Sequence, residues 1–469
     1  MTDHYSPERR TALVLSGTGA DGAYHAGVLR ALHETGIKID LVCGRGIGAV
    51  GAIFAAVDGA GRLSDAKGLW RQSAVGHLYG WRWPIRVIFA ALAAAVGVLL
   101  SPLLFLALGI TVYLIGLFLG MAGVETGASL MQQYSSVLVA AFAPGALPTW
   151  LPRLIAIGVI IVLIALIAGA VIASRTVRIR RHARQRSAWE LLGAPIDASE
   201  TARYFVVGLW DLLRGGATLR TPAHDDLSRR YSELLNDNIG QPGFSELLLT
   251  AHDLDARRDL VFGLVREPFR RTLFPTPSAH GTVGSARRAD AFDLAGLARD
   301  QLIDVLHAAL TIPGITDPTL LRFAPDSYWR GEAHRLIDRP GSLARLLEEA
   351  AAAGAEQVIV VSAAPQPPGP HELARQRLDP LGRMSEHSAS LESAVLRDAL
   401  QHVQHRFRGL YVVRPAHNPV GAFDLKGAYD ERSDRECSLS ELITYGYEDA
   451  YHQFIEPIVG TSGDQLSRA

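Results

Sequence analysis

Between Thr11 and Val57 the chain repeats one pattern twice, and that pattern restricts the fold more than any other feature. TALVLS (11–16) is a short apolar run that reads as a strand, and the glycine-rich turn Gly17-Thr18-Gly19-Ala20-Asp21-Gly22 follows it. AYHAGVLRALHETG then places Tyr24, Val28 and Leu32 on one face at helical spacing and stops at Gly36. IDLVCG (39–44) is a second strand, and Gly44-Arg45-Gly46-Ile47-Gly48 turns from it into the apolar helix AVGAIFAAV. Strand, glycine turn and helix in succession build a parallel sheet with helices against it. The expected fold is α/β, a mostly parallel sheet flanked by helices.

The rest of the chain supplies more of the same layers. FSELLLTAHDL (244–254) and RDLVFGLV (258–265) read as neighbouring strands, and 274–292 as a polar loop. Leu302–Leu310 is helical and ends in Thr311-Ile312-Pro313-Gly314. Leu343–Ala353 is an alanine-rich helix closed by Gly354, and QVIVVSA (357–363) is a strand. The Pro-rich stretch 362–387 reads as a surface loop. A helix over 389–408, the strand LYVVRP (410–415) and a closing helix over 438–455 complete the series.

A membrane insert is expected between the two parts. Hydrophobic residues make up 48% of the chain, so spans are sought first. No charged residue lies between Arg86 and Glu125, and none lies from Leu154 to Ser174. Each run is long enough for a ~30 Å hydrocarbon core at ~1.5 Å per residue. Arg82 and Arg86 precede the first run, and Arg175, Arg178, Arg180, Arg181, Arg184 and Arg186 follow the second. That bias puts both flanks on the cytoplasmic side. The expected division is 8–80 and 187–460 for one α/β domain, with an insert over 84–175 crossing at about 86–122 and 153–174. Two crossings are expected, the first long and bent at Pro102; four is the alternative.

Composition excludes several classes. The formal net charge is −1, which points to no nucleic-acid partner. Cys43 and Cys437 have no metal or redox spacing and read as buried small hydrophobes. No cofactor or metal is expected. MTDHYSPERR has no apolar core of a secretory signal, so the chain is expected to start in the cytoplasm.

The chemistry is expected at the two glycine turns. A strand ending in G-x-S-x-G before a helix is a nucleophile elbow. Here the elbow reads Gly44-Arg45-Gly46-Ile47-Gly48, with glycine at the third position. LVLSGTGADGAYHAGVLRALHETGIKIDLVCGRGIGAVGAIFAA (13–56) resembles the opening of the patatin-like phospholipases, a family of lipid acyl hydrolases. HAALTIPGI (307–315) and LIDRPGSLARLLEEAAAAGAEQVIVV (336–361) resemble later segments of the same family. The resemblance implies a Ser–Asp dyad without histidine, and an oxyanion hole from backbone N–H groups of a turn that is typically G-G-G-x-R/K-G. Residue by residue it puts Gly46 at the nucleophile position and Asp338 at the dyad aspartate. Gly17, Thr18, Gly19, Asp21 and Gly22 fall on the oxyanion loop.

Three departures fall where the chemistry belongs. Gly46 has no side chain to acylate, Asp21 stands where the family usually has Arg or Lys, and Arg339-Pro340 follows Asp338 in place of two small residues. A bland reading stands beside each assignment. Gly46 is the least strained residue for an elbow, Asp338 is a turn aspartate, and Ser16 and His25 are structural neighbours of the turn. Two functions are therefore expected in parallel. One is a catalytically impaired patatin-like protein, anchored in a bacterial inner membrane, that binds membrane lipid or a fatty acyl group or serves as a scaffold. The other is a lipid acyl hydrolase in which Asp338 activates water. A third, in which the insert itself carries a partner-binding function, is weakened as a transport reading by the lack of ionisable residues in the two runs.

Overall fold

A computed structural model describes residues 5–123, 126–141, 193–275, 287–370 and 377–460, with Ala143 and a few single residues between Arg153 and Ile164. The chain divides into two compact units, Met1–Gly80 with Ile196–Ala469, and Trp81–Pro195. In chain order the elements are β1 (Thr11–Gly17), α1 (Asp21–Glu34), β2 (Leu41–Gly46), α2 (Gly48–Ala55), α3 (Trp83–Met121) and α4 (Thr126–Ala141). Then come α5 (Ser199–Leu213), α6 (His224–Asn238), β3 (Glu246–Asp253), β4 (Arg258–Leu264), β5 (Ala291–Asp293) and α7 (Leu302–Ala309). The chain continues through β6 (Thr319–Arg322), β7 (Ala333–Ile337), α8 (Ser342–Ala352), β8 (Gln357–Ser362), α9 (Pro380–Val403), β9 (Gly409–Val413) and α10 (Leu439–Ala450).

The larger unit is built on a nine-stranded sheet of order β5-β4-β3-β2-β1-β8-β9, from which β7 and β6 extend beside β3. β1 pairs in parallel with β2 and with β8, β2 with β3, and β8 with β9. The β3–β4, β3–β7 and β6–β7 pairs are antiparallel. Side chains of β1 alternate between two buried layers, as a strand covered on both faces requires. Leu13 and Leu15 join the core that contains α1, α2 and α10. Ala12 and Val14 join Cys43, Leu346 and Leu396 on the other side, under α8 and α9. Both cysteines are buried and unpaired.

Several boundaries differ from the sequence reading. The stretch 362–387 is not all loop, because α9 begins at Pro380. Asp379 caps it, its carboxylate accepting from the Gly382 N–H at 2.6 Å, and proline occupies the first turn. The same helix ends at Val403, short of 408. The β6–β7 hairpin carries no strong period-2 signal in its four and five residues and was not expected. The end of the polar loop 274–292 forms β5.

The smaller unit holds α3 and α4. α3 runs for 39 residues as one helix without interruption at Pro102. Its Leu103–Met121 segment has a mean hydropathy of 2.4 over 19 residues and is 6% buried. By length and composition it is the one helix among the described residues able to cross a membrane. The second expected run, 153–174, lies almost wholly outside the described residues. Where the chain leaves the sheet and returns to it, the two segments run side by side. The Asp197 N–H donates to the Gly80 carbonyl at 3.2 Å, and the Arg82 N–H donates to the Pro195 carbonyl at 3.0 Å.

Candidate active site

The two glycine turns meet because their strands are neighbours in register. Gly17 ends β1 opposite Gly46 at the end of β2. The carboxyl ends of adjacent parallel strands are where α/β sheets place ligands. Gly46 has φ +58°, in the left-handed region, and the Ile47 N–H just after it donates to the Gly17 carbonyl at 3.0 Å. A Cβ built on Gly46 would lie 2.1 Å from that carbonyl oxygen and 3.1 Å from Asp338 Oδ2. The third elbow position therefore faces Asp338, and in this backbone only glycine fits it. Gly44 lies in β2, Ile47 is the cap residue of α2, and Gly48 begins the helix.

Asp338 follows β7 and is 3% exposed. Its N–H donates to the Thr311 carbonyl at 3.3 Å and to Thr311 Oγ1 at 3.2 Å, so the TIPG turn holds its backbone. Its carboxylate accepts from Arg45 Nη1, at 3.0 Å to Oδ2 and 3.3 Å to Oδ1. Arg45 is fully buried. Its Nε donates to Ser16 Oγ at 3.1 Å and its Nη2 to Glu392 Oε1. Glu392 also accepts from Thr18 Oγ1 at 3.2 Å. One guanidinium thus ties β1, β2, the end of β7 and α9 together. Burial pushes the Asp338 carboxyl up to about 7; Arg45 opposes that rise and Glu392 adds to it. Burial works against the Arg45 charge, but Asp338 and Glu392 outweigh it and hold the cation.

The glycine turn is occupied by the chain's own acceptors. The Thr18 N–H donates to Asp21 Oδ2 at 2.7 Å, and the Ala20 N–H donates to the Ala422 carbonyl at 2.8 Å. Gly19 has φ +58°, and a Cβ there would lie 2.0 Å from the Ala422 oxygen, so the close approach of that carbonyl requires glycine. Asp21 sits in the first turn of α1 beside Gly22. Burial raises its carboxyl to about 7, the Thr18 N–H and Arg45 acting against this and Glu392 with it. Asp21 is thus turned inward, onto the turn it follows.

The structure brings Gly46, Asp338, Arg45, Gly17, Thr18, Gly19 and Asp21 into one buried cluster. Ser16 is a structural member through Arg45. His25 is buried, its Nε2 is 3.3 Å from the Ser16 carbonyl, and burial lowers it to about 3, so it is a neutral packing group. Sequence reading missed Glu392, which lies on α9 nearly 350 positions from Arg45. A buried glutamate on an amphipathic helix was the only available signal. Tyr79 is also new; its hydroxyl donates to the Leu310 carbonyl at 3.0 Å, next to the turn behind Asp338. Among the described residues no His, Cys, Asp or Glu group is arranged to hold a metal ion.

Comparison with known proteins bears on the first half of this site. Residues 13–130 match the family model described as patatin-like phospholipase. Patatin-like phospholipase domain-containing protein 6 of Mus musculus is 46% identical over 63 residues, 13% of this chain and 5% of that protein. Triacylglycerol lipase ptl3 of Schizosaccharomyces pombe is 51% identical over 47 residues, 10% of each chain. Lysophospholipase NTE1 of Pyricularia oryzae is 50% identical over 48 residues, 10% of this chain and 3% of the other. The chain thus spans a tenth or less of these relatives. VipD from Legionella pneumophila aligns over 96% of this chain and 67% of that one at 14% identity, with a TM-score of 0.29. The matched block contains β1, the glycine turn, α1, β2 and α2, and over this block the chain carries the domain of the patatin-like phospholipase family.

Proposed function

We propose that this protein is a non-hydrolytic member of its family that binds a membrane lipid or acyl group, or organises other molecules, at the cytoplasmic face of a membrane in which it is anchored. The observation that carries this reading is the Gly46–Asp338–Arg45 arrangement. The residue facing the aspartate has no nucleophile, and the aspartate's carboxylate is engaged by a buried cation. The occupied N–H groups of Thr18 and Ala20 favour it further, since an oxyanion hole works through donors free to meet developing charge. The names of the relatives, a triacylglycerol lipase and a lysophospholipase among them, support a lipid as the ligand class. Leu103–Met121 supports the anchor.

The test uses the full chain in lipid nanodiscs with fluorescent acyl esters, phospholipids and a fluorophosphonate probe. The expected result is saturable lipid binding with no turnover and no covalent label. Labelling at any residue would falsify the non-hydrolytic reading. One observation favours the alternative of a hydrolase using Asp338 to activate water: burial holds that carboxyl near 7, within the useful range for a general base. In that case slow turnover appears and Asp338→Asn abolishes it.

A further inference from the structure

Residues 418–427 cross the glycine turn as a strap without helix or strand. Its Ala422 carbonyl accepts from the Ala20 N–H, and Val420, Ala422, Phe423 and Leu425 are all buried. Phe423 meets the ring of Tyr79 edge-on at 6.4 Å. A few polar contacts tether the strap. The Phe423 N–H donates to Ser385 Oγ at 3.2 Å, while within the strap itself the Gly421 N–H donates to Asp424 Oδ2 at 2.9 Å. Arg377 Nη2 donates to Asp424 Oδ1 at 3.0 Å, and Asn418 Nδ2 donates to the Ala363 carbonyl at 3.1 Å.

We infer that the strap is a displaceable internal ligand of the glycine turn. The Ala422 carbonyl holds the position of the carbonyl oxygen of an uncharged acyl ester, and Val420, Phe423 and Leu425 hold that of its acyl chain. The inference rests on the lipid-binding reading above and adds the ligand's chemistry and its competitor. Exchanging one carbonyl acceptor for another leaves the Ala20 N–H satisfied, so the desolvation penalty of an orphaned donor never arises. Exchanging apolar side chains for an acyl chain keeps the burial nearly constant. A segment held by a few side-chain tethers opens locally at a fraction of the cost of global unfolding. The charge of the surroundings selects among ligands. Asp21 sits on the neighbouring Thr18 N–H and Glu392 on the Thr18 hydroxyl, so a carboxylate entering here is opposed by acidic groups that exert no such repulsion on a neutral ester.

The test measures binding of a fluorescent diacylglycerol and of the matching fluorescent free fatty acid to the full chain in nanodiscs. It compares wild type with Arg377→Ala/Ser385→Ala, in which two tethers are cut. The variant is expected to bind the diacylglycerol about tenfold more tightly, with the fatty acid weaker than the ester in both proteins. Hydrogen exchange supplies a second measurement on the unmodified protein: saturating diacylglycerol is expected to raise exchange across 418–427 while β1 and β8 stay protected. Ester binding that leaves the exchange of 418–427 unchanged overturns the inference, and so does equal or tighter binding of the fatty acid. Absence of ester binding in both proteins instead removes the lipid-binding reading on which the inference stands.

Discussion

Arg45 Nη1 lies 3.0 Å from Asp338 Oδ2, with the two side chains 0% and 5% exposed. A patatin-like site needs its aspartate free to take a proton from a hydroxyl. On the function proposed above, the residue one place before Gly46 turns its guanidinium onto the aspartate that would serve as base, so one side chain both pairs that carboxylate and keeps it from a hydroxyl.

The cluster is expected to depend on Arg45 for its stability. Removing one partner of a buried ion pair leaves the other charge uncompensated, at a cost of about 3–5 kcal/mol. Arg45→Met strands Asp338 and Glu392 together, because both accept from the same guanidinium. Thermal denaturation should show a large drop in midpoint for Arg45→Met. Adding Glu392→Gln should recover part of it by removing one of the two stranded charges. An unchanged midpoint in Arg45→Met would show that the network holds nothing together.

Asp21 gives a pH dependence with a definite sign. Its folded-state pKa is about 7 against an ordinary 3.8, mainly because it is buried. Between those values the folded chain keeps a proton that the unfolded chain has released. Asp21's share of stability is therefore present at low pH, falls as pH rises through the window, and is constant above it. Asp21→Asn keeps an acceptor for the Thr18 N–H and removes the titration. The variant should match wild type near pH 4 and exceed it progressively up to pH 7, by about 1.4 kcal/mol per pH unit at most. Denaturant midpoints of the two proteins at pH 4.5, 6 and 7.5 measure this. A constant gap across the three would mean that Asp21 is ionised in the folded chain.

Much of this was legible in the sequence where neighbours in the chain are also neighbours in space. The apolar runs of β1 and β2, their glycine turns and the helices behind them are local signals, and they lead to parallel pairing at once. The approach of Asp338 to Gly46 also followed, although only through family resemblance, since no local pattern joins residues so far apart. What the sequence could not supply was the direction of side chains. Arg45 is one letter of the elbow in the sequence, and its burial depends on two acidic groups from distant elements that meet it. Asp21 stands in the sequence where the resemblance implies a cation, and that it folds back to accept from the Thr18 N–H is not written there. Ala422 contributes a backbone carbonyl, which no side-chain pattern records.

A serine introduced at position 46 should not by itself produce a reactive nucleophile. In Gly46→Ser the new Cβ would lie 2.1 Å from the Gly17 carbonyl oxygen, in a left-handed backbone conformation. Strain of this kind costs on the order of 1–3 kcal/mol where the surroundings enforce it. Even with that strain accommodated, Asp338 stays paired with Arg45, and the Thr18 N–H stays bonded to Asp21. The variant should therefore be less stable and remain unlabelled by a fluorophosphonate. Stoichiometric labelling of Gly46→Ser would mean that the missing hydroxyl was the sole defect, and that the ion pair and the occupied turn yield readily to substrate.

The paired segments at the base of the smaller unit lead to a prediction about membrane sidedness. Because Gly80 bonds Asp197 and Arg82 bonds Pro195, the chain leaves and returns at one place, so any crossings in between must be even in number. Nineteen residues from Leu103 to Met121 span about 28 Å as a helix, close to one hydrocarbon thickness. If that segment crosses, Gly123 just beyond α3 lies on the far face from the sheet. Cys43 and Cys437 are buried, so a single introduced cysteine can be read against a low background. In sealed membrane vesicles of one orientation, a membrane-impermeant maleimide should label Gly123→Cys from one side. It should label Thr218→Cys, at an exposed position of the larger unit, only from the other. The protein should also stay with the membrane through an alkaline carbonate wash. Labelling of both cysteines from the same side would remove the crossing by α3, and release by carbonate would remove the anchor altogether.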